Sequence, residues 1–129
     1  TMRDENLEQF EVVALFDLIV NNADRKGGAL LRDSDNSVWA IDHGLTFNPD
    51  ARLRTVIWEF SGDSISENLL DDLERVLPDL TPGGSLAVSL GQFLDEADVA
   101  ALQSRIANIL ETREFPLLDP DQNVPWPFV

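Results

Sequence analysis

The chain has no cysteine, a single lysine and a single histidine among its 129 residues. Without thiols, neither a disulfide framework nor a thiolate metal site can form. One histidine, His43, excludes a multi-histidine metal centre. No apolar run approaches the roughly 20 residues needed to cross a bilayer. The opening Thr1-Met2-Arg3-Asp4 lacks the basic-then-apolar form of a signal peptide. These absences point to a cytoplasmic protein. Positive charge is also scarce, with nine Lys and Arg against 24 Asp and Glu, a formal charge of −15. Such a field repels nucleic-acid phosphates and anionic lipid surfaces, so neither is an expected partner. A divalent cation is drawn to it.

What is present suits one folded domain over 1–129, with an apolar share of 43% that is ordinary for globular chains. Residues 4–22 read as a helix, with Asp4, Glu5 and Glu8 at the positive end of its dipole. Leu7, Phe10, Val13, Ala14, Phe16 and Ile19, with Val12, Leu15, Leu18 and Val20 between them, predict burial on most sides. A hairpin follows, 29–32 and 38–41 flanking a dense turn signal at 33–37. Residues 52–60 alternate only partly and read as an extended segment or a short helix. Ser64-x-x-Glu67 resembles a capping box before Leu69, Leu70, Leu73, Val76 and Leu77 at helical spacing, with Pro78 as the stop. Residues 81–85 form a loop. Asp95 opens a final helix to about Thr112, with Val99, Leu102, Ile106, Ile109 and Leu110 as its stripe. The proline-rich tail, 116–129, reads as extended and docked through Trp126 and Phe128. There is no internal repeat. The expected class is α+β and mainly helical, with helices packed around one small β-hairpin.

Two acids sit at the ends of that hairpin. Phosphoryl transfer needs a carboxylate to orient the attacking hydroxyl, magnesium to neutralise the phosphates, and a cation near the moving group. Kinases carry the base in H-R-D-L-x-x-x-N and the metal aspartate in D-F-G. In that pattern Asp24 is the base, Lys26 the cation, and Asp42 in "IDHG" the metal ligand. Spacing alone equally suits a helix end at Asp24-Arg25-Lys26-Gly27-Gly28 and a turn at Asp42. His43 beside a ligand aspartate reads as structural or supporting. Trp39, Trp58 and Trp126 read as core or docking residues. Gly83-Gly84 is a commonplace loop, and no G-x-S-x-G elbow supports acyl transfer.

"NNADRKGG" followed by "WAIDHGLTF" resembles the catalytic and metal-binding loops of the phosphatidylinositol 3- and 4-kinase-like superfamily. Its usual form is asparagine or glycine, then D-R-x-x-x-N, then I-D-x-G. The likeness is closest to a bacterial group carrying "NNADRKGG", "DHGLTF", a segment like "RLRTVIWEFSG" and a terminal "PWPF" in this order, and it covers about 15–128. The resemblance implies a kinase-like C-terminal lobe using ATP with Mg2+ (or Mn2+). Asp24 and Lys26 match catalytic positions, Asp42 the metal ligand, and Asn22 and Arg25 cofactor contacts. Two departures stand out. The usual metal-binding asparagine is Ala29, for which Asn21 or Asn22 is the available substitute. No strand-rich amino-terminal lobe, glycine-rich loop or phosphate-holding lysine precedes the helix, so the implied partner is such a lobe of the same protein. The acceptor hydroxyl stays open between lipid, protein and small molecule. The alternative is a degenerate, non-catalytic kinase-like module acting in protein–protein interaction.

Overall fold

The structure, a computed structural model, describes residues 6–49 and 52–127. Helix α1 (Leu7–Ile19) buries Phe10, Val13, Leu15 and Asp17. Its expected start at Asp4 lies outside the described residues. Burial on most sides does not hold, because Leu7, Val12 and Phe16 stay exposed. β2 and the last helix pack against α1, and one side is left to solvent. Asn21, in left-handed backbone at φ 54°, turns the chain away, as asparagine can at modest cost.

A 3-10 turn (Gly27–Ala29) leads into β1 (Leu30–Arg32), which pairs antiparallel with β2 (Val38–Ala40). Leu30 faces Ala40, Leu31 faces Trp39 and Arg32 faces Val38. Asp33 organises the turn. Its carboxylate accepts the Asp35 and Ser37 backbone N–H groups, both at 2.9 Å, and the Trp39 indole N–H at 2.8 Å. Helix α1 grips the same turn: Asn6 Nδ2 and Gln9 Nε2 donate to the Asn36 carbonyl, and Gln9 Oε1 accepts from the Val38 N–H.

Residues 52–60 hold no helix. Thr55 instead forms a parallel bridge with Arg25, so the extended alternative holds there. Helix α2 (Glu67–Val76) starts from Ser66, with no side-chain cap within its own first turn. The capping box expected from Ser64 is absent because Ser64 bridges Glu114. Glu11 of α1 accepts the Ser66 backbone N–H and hydroxyl instead. The α-helix ends at Val76, just ahead of Pro78 as expected, and Leu77–Leu80 continues as a 3-10 turn. The following loop is built on glycine. Gly83 has φ 87°, and a Cβ on Gly84 would lie 2.4 Å from the Asp79 carbonyl oxygen.

A short helix α3 (Ser85–Leu90) was not expected. Helix α4 (Glu96–Thr112) follows Asp95 as read, with Val99, Leu102, Ile106 and Ile109 buried. Leu110 packs only at the margin. Leu102, Ile106 and Ile109 meet Leu15, Ile65, Leu70, Leu73, Leu80 and Phe115 in the larger core cluster. A smaller cluster of Phe10, Val13, Leu30 and Ile57 joins α1 to the hairpin. The tail does not dock through Trp126, which is 80% exposed; buried Pro125 takes that place. Phe128 lies outside the described residues. The architecture is α+β, with four α-helices and one two-stranded antiparallel sheet among the described residues. Among the described residues no helix is long and apolar enough to cross a membrane.

Candidate functional site

Asp17 is the only charged residue between Glu11 and Asp24, and it is 1% exposed within an apolar helix. A buried carboxylate needs a partner that also satisfies its hydrogen bonds. Arg25, 0% exposed, supplies both. Its Nε donates to Asp17 Oδ2 at 2.8 Å and its Nη2 to Oδ1 at 2.9 Å. Nη1 donates to the Ala29 carbonyl at 3.0 Å and the Ile41 carbonyl at 2.7 Å. Nη2 also lies 3.3 Å from His43 Nδ1. A guanidinium has five donors, and each has an acceptor here.

That side chain ties three segments together: α1, the start of the hairpin, and the loop leaving it. Backbone contacts extend the seam. The Ala23 N–H donates to Leu45 O at 2.9 Å, Phe47 N–H to Val20 O, and Asn21 Nδ2 to Asn48 O. Behind Arg25, its own N–H donates to Arg54 O and its carbonyl accepts from Val56 N–H. The loops bearing Asp24 and Asp42 therefore run side by side.

Asp24 is half-buried, its N–H donating to Asn22 Oδ1 at 2.9 Å. Lys26 Nζ stands 3.6 Å from its carboxylate. Asp42 is exposed and left-handed, at φ 60°, a conformation uncommon for residues other than glycine. Its Oδ1 takes only a long contact, 3.5 Å, from the Gly44 N–H. The carboxylate is thus largely open to a ligand.

Asn22 and Arg25, expected at the cofactor, are instead buried and turned inward. Asn22 is 1% exposed, donates to Asp17 Oδ1 at 3.2 Å and accepts from Asp24. It cannot replace the missing amide without breaking both bonds. Asn21 is held on Asn48, and Ala29 itself is 6% exposed. The residue that sequence reasoning passed over is Asp17. The signal was there: a lone charge in an apolar helix calls for a buried counter-charge, and Arg25 is the next basic residue along the chain.

Among the described residues, no three His, Cys, Asp or Glu side chains form a group able to hold a metal by themselves. Magnesium bound with a phosphorylated ligand asks less, one or two carboxylates with water and phosphate completing the shell. Asp42 is exposed, and Asp24 lies on the adjoining loop.

No family model matches the chain, and no solved structure matches it. It is similar to "Protein Rv2133c" of Mycobacterium tuberculosis, 36% identical over 115 residues. The match takes in 89% of this chain and 41% of that protein, so the chain spans less than half the length of this relative.

Proposed function

We propose that the chain carries the carboxylate half of a phosphoryl-transfer site, a kinase-like carboxy-terminal lobe of the phosphatidylinositol 3/4-kinase type that acts with ATP and Mg2+. The observation that carries this reading is the Arg25 clamp, which fastens the Asp24 loop to the Ile41 carbonyl and the His43 ring on either side of Asp42. Two acids on tethered loops can serve one ligand without first ordering the chain, and preorganisation of that kind supports rate. Asp24 orients the acceptor hydroxyl and takes its proton. Lys26, beside Asp24, offers positive charge toward the transferring group. Asp42 binds the metal, and Arg25 and Asn22 set the loops rather than touching nucleotide. Magnesium, when bound, neutralises charge on the phosphates.

An apolar face lies next to Asp42. Leu31 and Trp39 are direct cross-strand partners, Ile41 follows two residues later on the same side, and all three are exposed. Side chains two apart share a face of a strand, so a nucleobase has a flat apolar surface to cover there. The remaining phosphate contacts belong to a second lobe, for which the greater length of Rv2133c leaves room in that protein.

In the intact protein, Asp42→Asn is expected to abolish Mg2+-dependent ATP binding measured by calorimetry. Asp24→Asn should keep that binding and lower phosphoryl transfer by roughly 10²-fold or more. Parental behaviour of Asp42→Asn would sink the reading. Ala29 favours a second one. With alanine at the usual metal-binding asparagine and Asn22 turned inward onto Asp17 and the Asp24 N–H, the site is one ligand short, which suits a module that binds nucleotide or protein without turnover. Tight Mg·ATP binding with no transfer to any hydroxyl would select it.

A further inference from the structure

His43 follows the proposed metal ligand, and the roles assigned above leave it without a task. We propose that His43 donates its Nε2–H to a phosphate oxygen of the nucleotide, as a donor held in one tautomer beside Asp42; this rests on the phosphoryl-transfer reading.

A guanidinium only donates hydrogen bonds. Arg25 Nη2, 3.3 Å from His43 Nδ1, therefore makes Nδ1 the acceptor and places the ring proton on Nε2. The ring is held a second way. Its centroid stands 5.6 Å from that of Phe16 at an interplanar angle of 78°, the edge-to-face arrangement that aromatic rings favour. Thr46 Oγ1 donates to the His43 carbonyl at 2.8 Å, fixing the backbone beneath. The side chain is nonetheless exposed. Nε2–H is then the ring's remaining polar group.

A phosphate at this place needs donors, and this protein offers few. The charge of Arg25 is buried and committed to Asp17. Lys26, beside Asp24, is assigned to the transferring group. The Gly44 N–H already leans toward Asp42. His43 adds a directional donor that Arg25 has oriented in advance. Preorganisation of this sort saves the ordering cost that a free side chain would incur on binding.

The test uses the intact protein with Mg·ATP and adenosine as probes. His43→Phe keeps an aromatic ring against Phe16 and removes both nitrogens. It should weaken Mg·ATP roughly tenfold, the scale of one hydrogen bond to a charged group, while adenosine affinity stays put; the thermal midpoint falls in step, because Arg25 Nη2 loses its His43 acceptor. In the free parent protein, long-range 1H–15N correlation should show the proton on Nε2 alone, and that resonance should shift when Mg·ATP is added. Equal weakening of both probes, no weakening, or a proton on Nδ1 overturns the assignment. If Asp42→Asn loses Mg2+-dependent binding while His43→Phe behaves as parent, only the His43 role falls. If the parent protein shows no Mg·ATP binding at all, both fall together.

Discussion

At position 25 a full positive charge is held out of water, and Asp17 meets it with both oxygens. Such pairs add little net stability, because desolvation offsets the attraction, yet breaking one is costly. Arg25→Met should therefore destabilise the fold by roughly 3–5 kcal/mol, leaving Asp17 charged and unmatched. Asp17→Leu combined with Arg25→Met should lose less, because no buried charge remains. Urea unfolding of the single and double variants checks this, and a double variant no better than the single would remove charge compensation as the cause. The same pair shows what was readable one residue at a time. The chemical identity of Asp24 and Asp42 could be seen in the sequence. The direction of Arg25 had a single hint, Asp17 as the lone charge of an apolar helix eight residues earlier, and the contact itself took the packing of α1 to show. A motif lists side chains without saying which of them face inward.

Among the elements, the hairpin carries the clearest pH signature. The Trp39 indole, then the Ser37 backbone N–H, hold Asp33 below the ordinary aspartate value, outweighing a small opposing effect of burial. A depressed folded value means that the stabilisation is complete above the unfolded value, about 3.9, and is lost as pH falls through the folded one. The Trp39 indole N–H resonance should therefore hold its position down to about pH 4 and move only below it. Asp33→Asn should abolish that acid-side transition, and an unchanged titration would exclude Asp33 as its origin. Elements with a strong period and a local start, such as α4 behind Asp95, were legible. Helix α2 was found but misplaced at its start, because Glu11 from a distant helix caps Ser66. Six-residue α3 lies between glycines, too short for a period to declare itself.

For the molecule as a whole, a formal charge of −15 on 129 residues is a load that the compact state carries through self-repulsion. Raising NaCl from about 0.01 M to about 0.3 M shortens the screening length from roughly 30 Å to well under 10 Å. The thermal midpoint should accordingly rise by a few degrees, as calorimetry can record; a fall would mean that attractive ion pairs outweigh the repulsion. The class, helical with one small hairpin, followed from composition and periodicity. The site needed contacts between segments far apart in the sequence. One of these reaches the end of the described chain. Asn123 accepts the Thr55 N–H and donates to Leu53 O, and Arg54 in turn exchanges backbone hydrogen bonds with Asn22 and Arg25. Where a shortened version of this protein is cut is therefore no neutral matter. Ending it before Asn123 would pull the rear support from beneath both aspartates, and an inert truncation would then report a slackened hinge rather than faulty chemistry.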